Sequence, residues 1–221
     1  MDSIIQILNK LDTIAPLSAM LFFLLKRKQM TRELFLVFLF CLVQFLCNLT
    51  ATILDILRMT NYWVYKINTI FTFIIIFQLF TKYLFHIKAR SRIFYILVYL
   101  TISSLLLWYN GDGITQFNSI SAALSSLIIV GLCLYFFYIK LIYSAEEVSV
   151  PETSVFWCVV GLFTYYAGSF FIFISYTYLT NSSASSVVVL WRFQNILLLI
   201  CCGYISYGIL CKSYQTISSS S

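Results

Sequence analysis

Long apolar segments alternate with short polar ones along nearly the whole chain of 221 residues. A helix needs roughly 20 apolar residues to cross the hydrocarbon core of a membrane, and the segments approach this length. The regular apolar–polar alternation of a membrane β-strand is missing from them, whereas a helix satisfies its own backbone hydrogen bonds in lipid. The pattern therefore predicts an all-α polytopic membrane protein, a bundle of seven transmembrane helices. They are expected at about 6–25, 33–57, 63–85, 93–109, 117–139, 154–179 and 187–210.

The first predicted helix includes charged residues near its start. Its purely apolar stretch, Thr13 to Leu25, is too short to span, so the helix has to reach back through Lys10 and Asp12. The alternative is a short interfacial helix followed by a tilted span. Residues 1–211 are expected to form one transmembrane domain, and 212–221 to form a short polar cytoplasmic tail.

Basic residues collect in alternate gaps between the predicted helices, and this asymmetry predicts an orientation. One side carries Lys26, Arg27, Lys28, Arg32, Lys82, Lys88, Arg90, Arg92, Lys140 and Lys212. The other carries Lys10, Arg58, Lys66 and Arg192. Cytoplasmic loops are rich in Lys and Arg, so the N-terminus is predicted outside and the C-terminus inside. The net charge of +6 is then a topology signal and an attraction for anionic lipid heads, and no nucleic-acid partner is expected.

Composition and motifs argue against a catalytic or metal centre. Only 10% of the residues are charged and 61% are hydrophobic, where a soluble domain has about 25% charged residues. No nucleophile elbow, zinc-protease motif or phosphate-binding glycine loop occurs. The single histidine is His86, and the seven cysteines lie within or at the ends of helices. We therefore expect no disulfide framework, no cofactor and no intrinsic enzyme activity.

Polar residues inside the predicted helices concentrate in their outer halves. Asn48 and Asp55 lie on one face of the second helix at helical spacing. An ionised group at membrane depth costs roughly 2.5 kcal/mol or more unless it is paired or hydrated, so Arg192 should face the bundle and pair with Asp55 or Asp12. An outward-facing polar ligand site is one interpretation, and helix–helix bonding or snorkelling to the interface is the other. The candidate ligand-binding residues are Arg192, Asn195, Asp55, Asn48, Lys66 and Asn118.

Small residues in the last two helices predict a close approach between neighbours. They are Gly161, Gly168 and Ser169 in the sixth helix and Cys201, Cys202 and Gly203 in the seventh.

The same two helices carry a spaced set of aromatic and small residues. The set is Pro151, Phe156, Trp157, Gly161, Leu162, Tyr165, Gly168, Ser169, Phe170, Phe171 and Phe173, then Leu190, Trp191, Asn195 and Ile196. It resembles the last two helices of a Bacteroidetes membrane family, in which a seven-helix region often forms the N-terminal input domain of sensor histidine kinases and also occurs alone. Ala15, Pro16 and Leu17 before a basic turn are similar too.

The resemblance implies a sensor or receptor-like signalling component in the inner membrane of a bacterium. Because this sequence ends soon after the seventh predicted helix, any kinase output is expected from a cytoplasmic kinase or another membrane subunit. Two other classes remain open. One is a membrane-embedded transporter or lipid-modifying enzyme with an outward-facing polar cavity, and the other is a structural subunit of a membrane assembly.

The predicted orientation can be tested by labelling single cysteines in a version without the seven native cysteines. Asp112→Cys should react with a membrane-impermeant thiol reagent in intact cells, because the loop after the fourth helix is predicted outside. Ser91→Cys, in a basic turn, is the control and should react only after the cells are opened. The opposite labelling pattern would invert the orientation.

Overall fold

The computed structural model describes residues 2–26, 30–109, 119–143, 153–182 and 184–211 of the chain. These residues form seven α-helices and no β-strand, so the predicted all-α class is confirmed. The helices are α1 Asp2–Leu25, α2 Arg32–Ile56, α3 Tyr62–Gln78, α4 Ala89–Tyr109, α5 Ser119–Tyr143, α6 Ser154–Ser182 and α7 Ala184–Leu210. The predicted tail at 212–221 lies outside the described residues.

Several helices are long and apolar enough to cross a membrane. In the described ranges there are five such segments: Arg32–Ile56, Tyr62–Leu84, Ser119–Lys140, Ser154–Tyr176 and Val188–Leu210. The apolar part of α1, Asp12–Leu25, is shorter, in keeping with the sequence pattern. These lengths and compositions indicate a multi-pass membrane protein, while the count of seven spans stays a prediction.

Six of the helices pack around a shared core as a closed ring. Neighbours around the ring are α1 and α2, α2 and α3, α3 and α5, α5 and α6, α6 and α7, and α7 and α1. The most extensive of these contacts is between α6 and α7. By contrast, α4 has only sparse contacts, with α5 and with the end of α3, and only Tyr99 and Ser103 are buried among its described side chains. It therefore lies at the periphery of the ring.

The third helix does not continue in α geometry to residue 85 as predicted. Residues Leu79–Leu84 form a π-helical turn, and Thr81 at its centre donates a hydrogen bond to the Phe77 carbonyl oxygen at 2.6 Å. The three consecutive residues 79–81 are all buried. A π turn is wider than an α turn, so successive side chains lie closer together around its axis and all three can face the core. His86, with φ 52°, then adopts the left-handed conformation that ends the helix.

A glycine brings α6 and α7 into close contact. A Cβ atom added to Gly161 would lie 2.9 Å from the Cys201 carbonyl oxygen and 3.0 Å from the Tyr204 Cβ. Because glycine has no side chain, the two backbones can approach closely at this point. The close approach predicted from Gly161 is thus confirmed.

The other glycines of this interface divide into two groups. Gly168 lies directly against Leu197, as the sequence pattern predicted. Gly203 is exposed, and an added Cβ would have no atom within 4 Å, so its predicted packing role is wrong. The prediction missed Gly208, where an added Cβ would lie 2.7 Å from the Ser154 carbonyl oxygen.

All seven cysteines are free thiols, and five are buried. The buried ones are Cys41, Cys133, Cys158, Cys201 and Cys202. They come from four helices of the ring and belong to its hydrophobic core, where a thiol acts as a small apolar group.

Gly161→Ala should lower the thermal stability of the purified protein. The added methyl group meets a backbone oxygen that cannot rotate away, and overpacking of this kind costs about 1–3 kcal/mol. Gly131→Ala on α5 is the matched control, because an added Cβ there has no atom within 4 Å, and its melting temperature should be unchanged or higher. Circular dichroism during heating in one detergent measures both. Equal melting temperatures for the two variants would contradict the close approach.

Candidate functional site: a polar cavity inside the helix ring

A partly enclosed cavity lies inside the ring and receives side chains from all six of its helices. It extends from the middle of the bundle towards the end at which α3, α5 and α7 begin. The polar lining residues are Asp12, Gln44, Asn48, Asn68, Thr69, Thr72, Ser125, Ser126, Gln194 and Asn195. The aromatic lining residues are Tyr65, Tyr165, Tyr166, Phe173 and Trp191.

The size of the cavity limits what it can hold. Counted as the space that the centres of water molecules can reach, its volume is about 60 Å³. One water needs roughly 10–15 Å³ by this measure. The cavity therefore suits a few water molecules or one small polar ligand.

Two amide side chains of α2 fix the lining on the side of α1 and α3. Gln44 and Asn48 are buried one turn apart on the same face of α2. The Asn68 Nδ2 donates a hydrogen bond to the Gln44 Oε1 at 3.0 Å. The Asn48 Nδ2 donates to the Asp12 carbonyl oxygen at 2.8 Å. These bonds join α2 to both of its neighbours at the level of the cavity.

A second pair of polar side chains joins α6 to α7. The Gln194 Nε2 donates a hydrogen bond to the Ser169 Oγ at 2.8 Å, and both side chains are buried. The Ser169 hydroxyl in turn donates to the Tyr165 carbonyl oxygen at 2.7 Å. The Tyr165 hydroxyl lies close to the amides of Gln44 and Gln194. This tyrosine therefore brings the two hydrogen-bonded pairs together across the ring.

Two polar atoms of lining residues are buried without a hydrogen-bond partner among the residues that the structure describes. They are the Asn68 Oδ1 and the Tyr166 hydroxyl. A buried polar atom left unsatisfied costs about 1–3 kcal/mol, and nearly all such atoms in proteins are bonded to protein groups or water. These two atoms are therefore available to an occupant of the cavity.

The structure brings together some of the residues predicted from the sequence. Asn48 and Asn195 line the cavity, as does Asp12, which was expected only as an ion-pair partner. Asn118 lies outside the described residues. A role in ligand binding stays a prediction for all of these residues.

The charged candidates lie elsewhere. Asp55 is exposed, because the buried face of α2 runs through Gln44, Asn48 and Ala51 and turns away before the helix ends. Lys66 and Arg192 are not among the described lining residues. The Arg192 Nε is buried without a hydrogen-bond partner in the described ranges. Among the described residues, Arg192 does not form the expected ion pair with Asp55 or Asp12.

Several lining residues were missed from the sequence, although a signal for them exists. Gln44 precedes Asn48 by one helical turn, and Asn68 precedes Thr72 by one turn, so each pair lies on one helix face. Such pairs of neutral polar residues within apolar helices mark the buried face. The prediction instead gave weight to charged residues near the helix ends.

Comparison with known proteins identified no relative of this chain. No protein-family model, curated protein or solved structure matches the chain. Across the described residues, no three His, Cys, Asp or Glu side chains are grouped so that they could hold a metal ion. The function must therefore be argued from the cavity itself.

Gln194→Leu and Tyr166→Phe should affect stability differently, although both remove a buried polar group from the lining. Gln194→Leu removes the amide bonded to Ser169, and hydrogen bonds between membrane helices contribute about 0.6 kcal/mol, and up to about 1.7 kcal/mol. Its melting temperature should fall. Tyr166→Phe removes a hydroxyl without a partner, so its melting temperature should stay equal or rise. Thermal unfolding in one detergent measures both melting temperatures. A larger fall for Tyr166→Phe than for Gln194→Leu would contradict the hydrogen bonds described here.

Proposed function

We propose that this protein is a receptor-like signalling component of a bacterial cytoplasmic membrane. In this proposal seven helices span the membrane, with the N-terminus outside and the C-terminus inside. The cavity takes a small polar ligand from the outer side, and a cytoplasmic kinase or another membrane subunit receives the signal. The resemblance of the last two helices to input domains of sensor kinases supports this class.

The distribution of charge supports the orientation. Lys82 in the π turn after α3, Arg90 at the start of α4 and Lys140 near the end of α5 belong to one end of the bundle. The charge bias assigns that end to the cytoplasm. The cavity extends towards the opposite end, where a ligand from outside the cell would enter.

The observation that carries the proposal is that all six helices of the ring line one small cavity. A ligand there contacts or separates several helices at once. It can therefore favour one arrangement of the helices over another, and a ligand shifts such an equilibrium by its difference in affinity for the two states. The cytoplasmic ends of the same helices would then move with them.

The chemistry of the lining supports binding rather than catalysis. The hydroxyls of Thr72 and Ser126 donate hydrogen bonds to backbone carbonyl oxygens of their own helices, at 2.6 Å and 2.9 Å. A nucleophilic hydroxyl needs a neighbouring base to accept its proton. Among the described lining residues there is no His, Lys or Cys, and the carboxylate of Asp12 accepts its side-chain hydrogen bond from Thr13 rather than from a lining hydroxyl.

The proposal can be tested by filling the cavity and measuring the signalling output. The protein is cross-linked in its native cells, purified in a mild detergent and examined for bound proteins and for their phosphorylation. A kinase or response regulator should co-purify. Ala122→Leu, which places a larger side chain in the cavity lining, should change the phosphorylation of that partner. Ala89→Leu, at an exposed position, is the matched control and should leave it unchanged.

Two results would contradict the proposal. One is co-purification of biosynthetic enzymes in place of signalling proteins, which would favour the enzyme or structural class. The other is an unchanged output in Ala122→Leu, provided that the variant keeps its melting temperature.

A further inference from the structure

Several side-chain donors around the cavity are used inside the protein. One N–H of Asn68 is donated to the Gln44 Oε1, and one N–H of Asn48 to the Asp12 carbonyl oxygen. Three lining hydroxyls donate to backbone carbonyl oxygens one turn earlier in their own helices: Thr69, Thr72 and Ser126. These hydroxyl protons are therefore used inside the protein, whereas each amide keeps a second N–H.

Acceptors, in contrast, remain available. The Asn68 Oδ1 is buried and has no donor among the described residues. The Tyr166 hydroxyl lies close to the Thr72 side chain but has no partner of good hydrogen-bond geometry in the described ranges, so its oxygen can accept a bond and its proton can be donated. A hydroxyl that donates its proton also keeps lone pairs that can accept, which applies to Thr72 and Ser126. The lining is thus matched to a ligand that donates hydrogen bonds.

The charge of the lining also favours a ligand that donates hydrogen bonds, because it favours a cation. Among its described residues, Asp12 is the one carboxylate, and no Lys, Arg or His is present. An anionic ligand would face a like charge there. The rings of Tyr65 and Trp191 also line the cavity, with their centroids 5.2 Å apart. Aromatic faces attract cations, which adds to the effect of the carboxylate.

From acceptors, charge and size together, we infer that the cavity binds a small ammonium ion, either ammonium itself or a small primary one such as methylammonium. Its N–H groups would satisfy the Asn68 Oδ1 and the Tyr166 hydroxyl oxygen, and its charge would be balanced by Asp12. The cavity volume of about 60 Å³ admits an ion of this size. This inference rests on the proposed function as a receptor, and it names the class of ligand.

Binding is measured on the purified full chain in detergent, by thermal shift and by isothermal titration. The probes are methylammonium chloride, sodium acetate and uncharged methylurea, all at one ionic strength. Methylammonium should raise the melting temperature of the native protein, and acetate should not. Asp12→Asn keeps the size of the side chain and removes its charge, and it should weaken methylammonium binding about tenfold, because hydrogen bonds to charged groups are the stronger ones.

Asp55→Asn is the matched control, since Asp55 is an exposed carboxylate outside the lining. It should bind methylammonium as the native protein does. Tyr166→Phe should weaken binding while keeping its melting temperature without ligand, which separates a lost contact from a lost fold.

The outcomes separate this inference from the proposed function. Equal binding by the native protein and Asp12→Asn would overturn it, because the ion would then lie elsewhere. Stabilisation by acetate or methylurea in place of methylammonium would also overturn the ammonium class, but a receptor of another ligand would remain. If no probe binds and Ala122→Leu also leaves signalling unchanged, the ligand class and the receptor function both fail.

Discussion

The structure depends on one constraint: a polar side chain at membrane depth has almost no water to bond with and must find its partner inside the protein. Gln44 and Asn68 meet this constraint across α2 and α3, and Gln194 and Ser169 meet it across α7 and α6. Rotation of either helix in such a pair would leave a buried amide unpaired, at a cost of about 1–3 kcal/mol. The amides therefore fix the rotation of helices whose surfaces are otherwise uniformly apolar.

The two halves of the bundle are packed by different means. Away from the cavity, Gly161 and Gly208 let the α6 and α7 backbones meet without intervening side chains. At the level of the cavity, amide and hydroxyl groups bond across the ring and leave a small space between them. The close-packed half can keep the helices together while the polar half adjusts to a ligand. In the proposed receptor, the polar half would bind the ligand and the close-packed half would keep the helices together.

The sequence predicts the helices well and the site only in part. A run of apolar residues defines a helix directly, so the start of α6 at Ser154 and the end of α7 at Leu210 agree with the pattern. The π turn could not be foreseen, because it depends on burial of neighbouring residues against other helices, such as Phe80 against Phe136. Nor does the sequence identify the buried face of each helix. In lipid both faces are apolar, so the periodicity that identifies a buried face in soluble proteins is weak.

The contact between α1 and α7 has a consequence for biosynthesis. It joins the first of the described helices to the last of them and closes the ring, and both helices line the cavity. During translation the earlier helices can enter the membrane and pair in turn. The cavity lining around Asp12 is incomplete until Trp191 and Gln194 have been synthesised and inserted. A nascent chain that stalls before α7 has an open ring with its buried amides exposed to lipid. Such a chain lacks the enclosed cavity, and its unpaired polar groups distinguish it from the finished protein for a membrane protease.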